Sequence, residues 1–134
     1  MKDAEELFAG AQRAPEPTGS PFLSFELQSE LHRLRTEDHP WQAGRNAKIL
    51  VKYPDLRILL IGLRAGTHIA EHKAAGSISV QTLSGHILIR AAGRVFDLRE
   101  GQFLSLEREI PHDLEALAES AVLVTISWPG GERP

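Results

Sequence analysis

Six histidines and no cysteines make up the metal-binding stock of this 134-residue chain. Without a thiol there is no disulfide framework, no thiolate metal site and no thiol nucleophile, so site chemistry must come from imidazoles, carboxylates and hydroxyls. His68 and His72 stand four residues apart in the run GTHIAEHKA, which spans Gly66 to Ala74. His112 closes the run GQFLSLEREIPH, which begins at Gly101. Imidazoles gathered on one face of a sheet can hold a divalent cation at about 2.0–2.2 Å, move protons near neutral pH, or accept hydrogen bonds from a ligand. His112 and Asp113 look like an acid–base pair, but neighbours on a strand face opposite ways, which makes Asp113 a solvated charge. The chain carries no Gly-x-Ser-x-Gly elbow, no phosphate-cradling Gly-x-x-x-x-Gly-Lys loop and no Gly-x-Gly-x-x-Gly fingerprint, so hydrolase, nucleotidase and dinucleotide readings have no motif.

The elements that must position these side chains are short. From Asn46 onward, runs rich in Val, Ile, Leu and Thr alternate with turn residues every eight to twelve positions, the spacing of an all-β sandwich or barrel. Strands are predicted over Asn46 to Lys52, Leu56 to Leu63, Thr67 to Lys73, Ser77 to Leu83, His86 to Ala91, Arg94 to Leu98, Gln102 to Leu106, His112 to Leu117 and Ala121 to Trp128. Gly66, Gly76, Gly85, Gly93, Gly101 and Pro111 supply the restricted or positive φ that tight connections need. No helical pattern separates these strands, so nothing supports a parallel sheet with crossover helices. Upstream, residues 1–23 read as an acidic extension with a proline-rich linker over Ala14 to Pro21. Residues 24–134 read as one barrel domain with a leading helix at about 24–36, capped by Ser24 and striped with Leu27, Leu31 and Leu34.

Set on those strands, the two histidine stretches resemble the two motifs of the cupin superfamily. The first family motif runs glycine, five residues, His-x-His, a short gap, glutamate, six residues and a second glycine; Gly66, His72 and Gly85 fit it. The second places a histidine eleven positions after a glycine, as Gly101 and His112 do. The resemblance covers about Asn46 to Trp128 and implies an all-β double-stranded β-helix, the jelly-roll barrel, with a short N-terminal helical extension. It also implies a site between the sheets where the family can hold Fe, Mn, Ni or Zn. The departures are specific. Ala74 stands at the second histidine, Ile78 at the glutamate, and Glu107 and Glu109 at the proline and glycine of the second motif. Two of the four usual ligands, His72 and His112, remain.

Strand parity fills in the pocket. If His72 points inward, His68, Ala70 and Ala74 share its face, with Ile78, Val80 and Thr82 on the next strand and Leu114 beside His112. Four residues of regular strand place His68 roughly 13 Å from His72, too far to share a metal unless a bulge intervenes. Small residues at positions 70 and 74 favour a cavity over a filled interior. His32, on the helix, and His39, before a proline, read as surface residues, and His86 falls outside the pocket. Arg45, Lys48, Lys52, Arg57 and Arg64 read as solvated or rim charges.

A formal charge of −3 supplies no basic field for phosphate backbones, which argues against a nucleic-acid partner. The amino terminus lacks the features of a secretory signal, no stretch reaches the length of a membrane span, and a cytoplasmic location is expected. Exposed strand edges invite self-pairing, so a homodimer is expected through Ala47 to Val51 and the helix leucines. The expected function is small-molecule binding in a cupin barrel without an intact metal site, with no reaction assigned. Below it rank a metal-dependent enzyme of dioxygenase or isomerase type using His72 and His112, and an interaction protein whose barrel is filled.

Overall fold

The structure is a computed structural model that describes residues 2–3, 11–13, 21–36 and 40–128. All nine predicted strands form, most within one residue of the expected bounds. They are β3 (Arg45–Lys52), β4 (Leu56–Leu63), β5 (His68–Lys73), β6 (Ser77–Ser84), β7 (His86–Ala91), β8 (Arg94–Arg99), β9 (Phe103–Leu106), β10 (His112–Ala116) and β11 (Ser120–Ser127). Two further strands precede them, β1 (Lys2–Asp3) and β2 (Gln12–Arg13), each too short to leave a periodic signal in sequence.

The strands form two sheets. One has the order β1-β5-β10-β7-β8, the other β2-β3-β4-β11-β6-β9. All pairings among β3 to β11 are antiparallel, while β1 and β2 join β5 and β3 in parallel. The sheets exchange strands along the chain, as expected of a jelly roll, and side chains of alternate parity meet between them. Leu59, Ile61 and Leu63 from β4 face Ile87 and Ile89 from β7 across this interior, joined by Val122, Val124 and Ile126 of β11. Burying apolar faces of this kind is the main favourable term in folding, at about 25 cal/mol per Å².

The helix, α1 (Leu27–Thr36), lies on the outer face of the second sheet. It starts later than Ser24 implied because Glu26 is the capping residue: its carboxylate accepts the Ser29 N–H and the Ser29 hydroxyl, both at 2.7 Å. Leu31 and Leu34 bury against Leu50, Val51, Leu60 and Ala121, a second apolar cluster within the same chain. These leucines and Val51, expected to serve a dimer contact, are therefore already covered. The side-chain amide of Asn46 donates to the Leu34 carbonyl at 3.2 Å and ties the helix end to β3.

Two charges expected in solvent are buried instead. Lys48 and Arg57 are 5% and 6% exposed. Lys48 reaches the carboxylate of Glu30 at 2.9 Å beneath the helix, and Arg57 lies over the Trp128 ring at 5.6 Å. Burial alone would raise the Glu30 pKa, but Lys48 and Arg33 outweigh it and hold the carboxyl below its usual range. Period-two reading missed Lys48 because it sits on the outer face of its strand, which α1 covers. No helix among the described residues is long and apolar enough to cross a membrane.

Candidate functional site

The site is assembled where β5 meets β10. His112 pairs with His72, and two residues further along β10 Leu114 pairs with Ile69, so two residues of one strand span three of the other. This is a β-bulge at Ala70 and Glu71. Its extra residue breaks the alternation that put His68, Ala70 and His72 on one face. Ile69 and His72 point inward, 3% and 6% exposed, while His68 and Ala70 face solvent. His68 therefore leaves the candidate site: its Nε2 lies 2.7 Å from the Asp113 carboxylate on the outer face of the sheet. Arg90 joins that outer network, bonding Asp113 at 3.3 Å and Glu115 at 2.8 Å. Burial would raise the Asp113 pKa, but His68 and Arg90 prevail and lower it.

Inside, the rings of His72 and His112 meet edge to face with centroids 4.2 Å apart and planes inclined by 61°. Each ring is oriented by a carbonyl two residues earlier in the chain. His72 Nδ1 lies 2.9 Å from the Ala70 carbonyl and His112 Nδ1 lies 3.0 Å from the Ile110 carbonyl. A carbonyl can only accept, so Nδ1 carries the proton in both rings, and the neutral form of each has its lone pair on Nε2. Burial pushes the His72 pKa down to about 4; the Ala70 carbonyl opposes the shift and the neighbouring His112 and Arg45 add to it. At neutral pH His72 is therefore an uncharged hydrogen-bond acceptor.

The two imidazoles line a cavity of about 30 Å³ otherwise walled by aliphatic side chains. Ile78, Val80 and Leu114 line it as strand parity predicted. The sequence reading missed Leu59, Ile61, Ile69, Ile89, Val122, Val124 and Ile126. Six of these follow the same period-two rule on their own strands and were legible from it; Ile69 was hidden by the bulge. Thr82 is fully buried on the expected face, but its hydroxyl donates to the Leu98 carbonyl at 3.3 Å and it does not line the cavity. Ala74 packs into the main core, 2% exposed, and Ala70 is outside. Neither small residue opens the interior, which explains why the cavity has room for a water rather than for a drug-sized ligand, whose pockets run to roughly 300–1,000 Å³.

The fit to a divalent metal is poor. A protein site for such an ion takes three or four donors. Ala74 and Ile78, at the motif positions that would complete one, are buried and offer none. Among the described residues no group of three His, Asp or Glu side chains is placed to hold a metal ion. Glu107 and Glu109 are exposed on the rim between β9 and β10. Glu109 has a φ of 67°, its N–H donates to the Ala74 carbonyl at 2.8 Å, and its carboxylate lies 2.9 Å from Lys73 Nζ. Of the remaining histidines, His86 bonds Asp97 at 2.8 Å outside the cavity, His32 is exposed on α1, and His39 lies outside the described residues.

No family model and no curated protein matches the sequence. Solved structures do match. A cupin 2 conserved barrel domain protein from Leptotrichia buccalis is 29% identical, over 69% of this chain and 45% of that one, with a TM-score of 0.61. An RmlC-like cupin from Shewanella frigidimarina is 18% identical over 81% of this chain and 91% of that one, with a TM-score of 0.66. A salicylate 1,2-dioxygenase from Pseudaminobacter salicylatoxidans is 24% identical over 74% of this chain, with a TM-score of 0.61, and the match spans 31% of its length.

Proposed function

We propose that this chain, which shares the fold of cupin structures, is a small-molecule-binding cupin barrel whose ligand is held by His72 and His112. The observation that carries the reading is the pair of Nδ1 contacts to the Ala70 and Ile110 carbonyls. They commit both Nδ1–H groups to the main chain, so each ring in its neutral form offers Nε2 as an acceptor to an aliphatic chamber. The complementary ligand donates hydrogen bonds from one end and is apolar at the other, as a phenol or a small alcohol does. Binding it requires the interior to widen, because the cavity of about 30 Å³ is smaller than any such compound.

Titration with phenol and with catechol, followed by the imidazole ring resonances, tests the reading. Shifts confined to His72 and His112, and lost in His72→Ala and His112→Ala, are expected. An interior that responds to neither compound at millimolar concentration leaves the third reading, a filled barrel with a structural role.

A metal-dependent enzyme of dioxygenase type is the second reading. One observation favours it: a ring whose Nδ1 is held by a carbonyl presents Nε2 as metal-binding histidines do. The donor count opposes it, since the described residues supply only half of a four-ligand shell. Stoichiometric Fe, Mn, Ni or Zn in the purified protein, lost on replacing either histidine, would reverse the order.

A further inference from the structure

We infer that residues 107–111, which join β9 to β10, form a latch over the two-histidine end of the sandwich and that Glu109 is the residue that holds it shut. The inference deepens the binding reading and depends on it for its purpose. A chamber of about 30 Å³ has room for nothing larger than water until its surroundings move.

Glu109 is held against its own backbone preference. Its φ of 67° lies in the left-handed region, where a side chain with a Cβ crowds the following carbonyl. A conformation of this kind persists only where surrounding contacts over-determine it. Two contacts do so here. The Glu109 N–H donates to the Ala74 carbonyl at 2.8 Å, and the Glu109 carboxylate meets Lys73 Nζ at 2.9 Å with both side chains about half exposed. Strain favours release, while one hydrogen bond and one screened ion pair favour closure.

Both anchors are chain neighbours of the site. Lys73 and Ala74 directly follow His72, and Ile110, next to Glu109, supplies the carbonyl that orients the His112 ring at 3.0 Å. His72 and His112 are themselves paired in the ladder, 6% and 3% exposed. Lifting the loop at Glu109 withdraws the Ile110 carbonyl and frees the His112 ring, which is part of the chamber wall, to turn. Glu109 and Lys73 line no part of the cavity, so they are positioning residues that act through the rim and through His112.

Carbethoxylation of the full-length chain with diethyl pyrocarbonate, read histidine by histidine by mass spectrometry, tests the latch. His68, on the outer face, serves as the internal reference. An exposed ion pair biases an equilibrium by roughly two- to five-fold. Glu109→Gln and Lys73→Gln are each expected to raise the rates at His72 and His112 by that factor, with His68 and His86 unchanged. Salt at about 0.5 M should reproduce the rise in the parent protein and add nothing to either variant. Hydrogen exchange at the Glu109 amide should quicken by the same factor. Unchanged rates at His72 and His112 in both variants would overturn the inference, as would a rise shared by all histidines. A chain that shows the latch signature but answers neither phenol nor catechol loses the binding reading and keeps the latch. Binding with no change in these rates does the reverse.

Discussion

His72 is a buried imidazole in a wall of aliphatic side chains, and its protonation has a cost that folding must carry. Its pKa falls from 6.5 to about 4 in the native state, chiefly through burial. Below 6.5 the unfolded chain takes up a proton that the folded chain refuses, so stability drops as pH falls and the loss is complete below about 4. The difference amounts to roughly 3 kcal/mol. Urea denaturation of the parent and of His72→Gln across this range should show the parent losing that much more than the variant. Parallel curves would mean that His72 is solvated in the native state. That His72 and His112 face one interior was legible in sequence because each stands at a set distance from a turn glycine and so takes a set place on its strand. Their company was not. Whether His68 or Ile69 joins His72 is decided by one extra residue in β5, and a bulge leaves no mark in a run as mixed as Ile69, Ala70 and Glu71.

At the scale of elements, strand bounds were readable because glycine and proline punctuate them for physical reasons. Gly85 shows why. Its φ is 88°, and a Cβ there would stand 2.3 Å from the Ser120 hydroxyl oxygen and 2.4 Å from the Glu119 carbonyl. The turn between β6 and β7 thus packs directly on the start of β11, and Gly85→Ala should cost about 2 kcal/mol or more, measured by thermal or urea unfolding. A cost within error of zero would show that the turn yields freely. The seat of α1 was less readable, because one of its charged residues, Glu30, is buried through a partner distant in sequence. Glu30 and Lys48 form an ion pair with side chains only 8% and 7% exposed. Removing one charge strands the other, so Glu30→Leu should destabilise by about 3 kcal/mol. The double variant Glu30→Leu/Lys48→Met should recover much of that loss, and a purely additive double-mutant cycle would deny the coupling.

At the scale of the molecule, the described residues leave β8 and β9 as the outermost strands on one side of the two sheets. Their most exposed apolar side chains, Val95 at 62% and Phe103 at 64%, sit on these edges. The helix leucines are engaged within their own chain, so we propose that a homodimer forms through the β8 and β9 edges instead. Light scattering should then give about twice the 14.8 kDa chain mass, falling to one chain in Val95→Lys/Phe103→Lys. A parent protein that scatters as a single chain at micromolar concentration removes the proposal.

The bulge in β5 carries one more implication, about length rather than residue type. Ile69 and His72 would both still face inward if Ala70 or Glu71 were absent, since the remaining residues would alternate regularly. What would change is the placement of the Ala70 carbonyl that grips the His72 ring. The other ring is gripped in the same way, by Ile110 in a turn. One imidazole is aimed by a flaw in the sheet and the other by the connection that leads into β10. A chain shortened by one residue at this point would gain an unbroken ladder and a His72 ring without its carbonyl partner, trading the orientation of a cavity-lining acceptor for regularity.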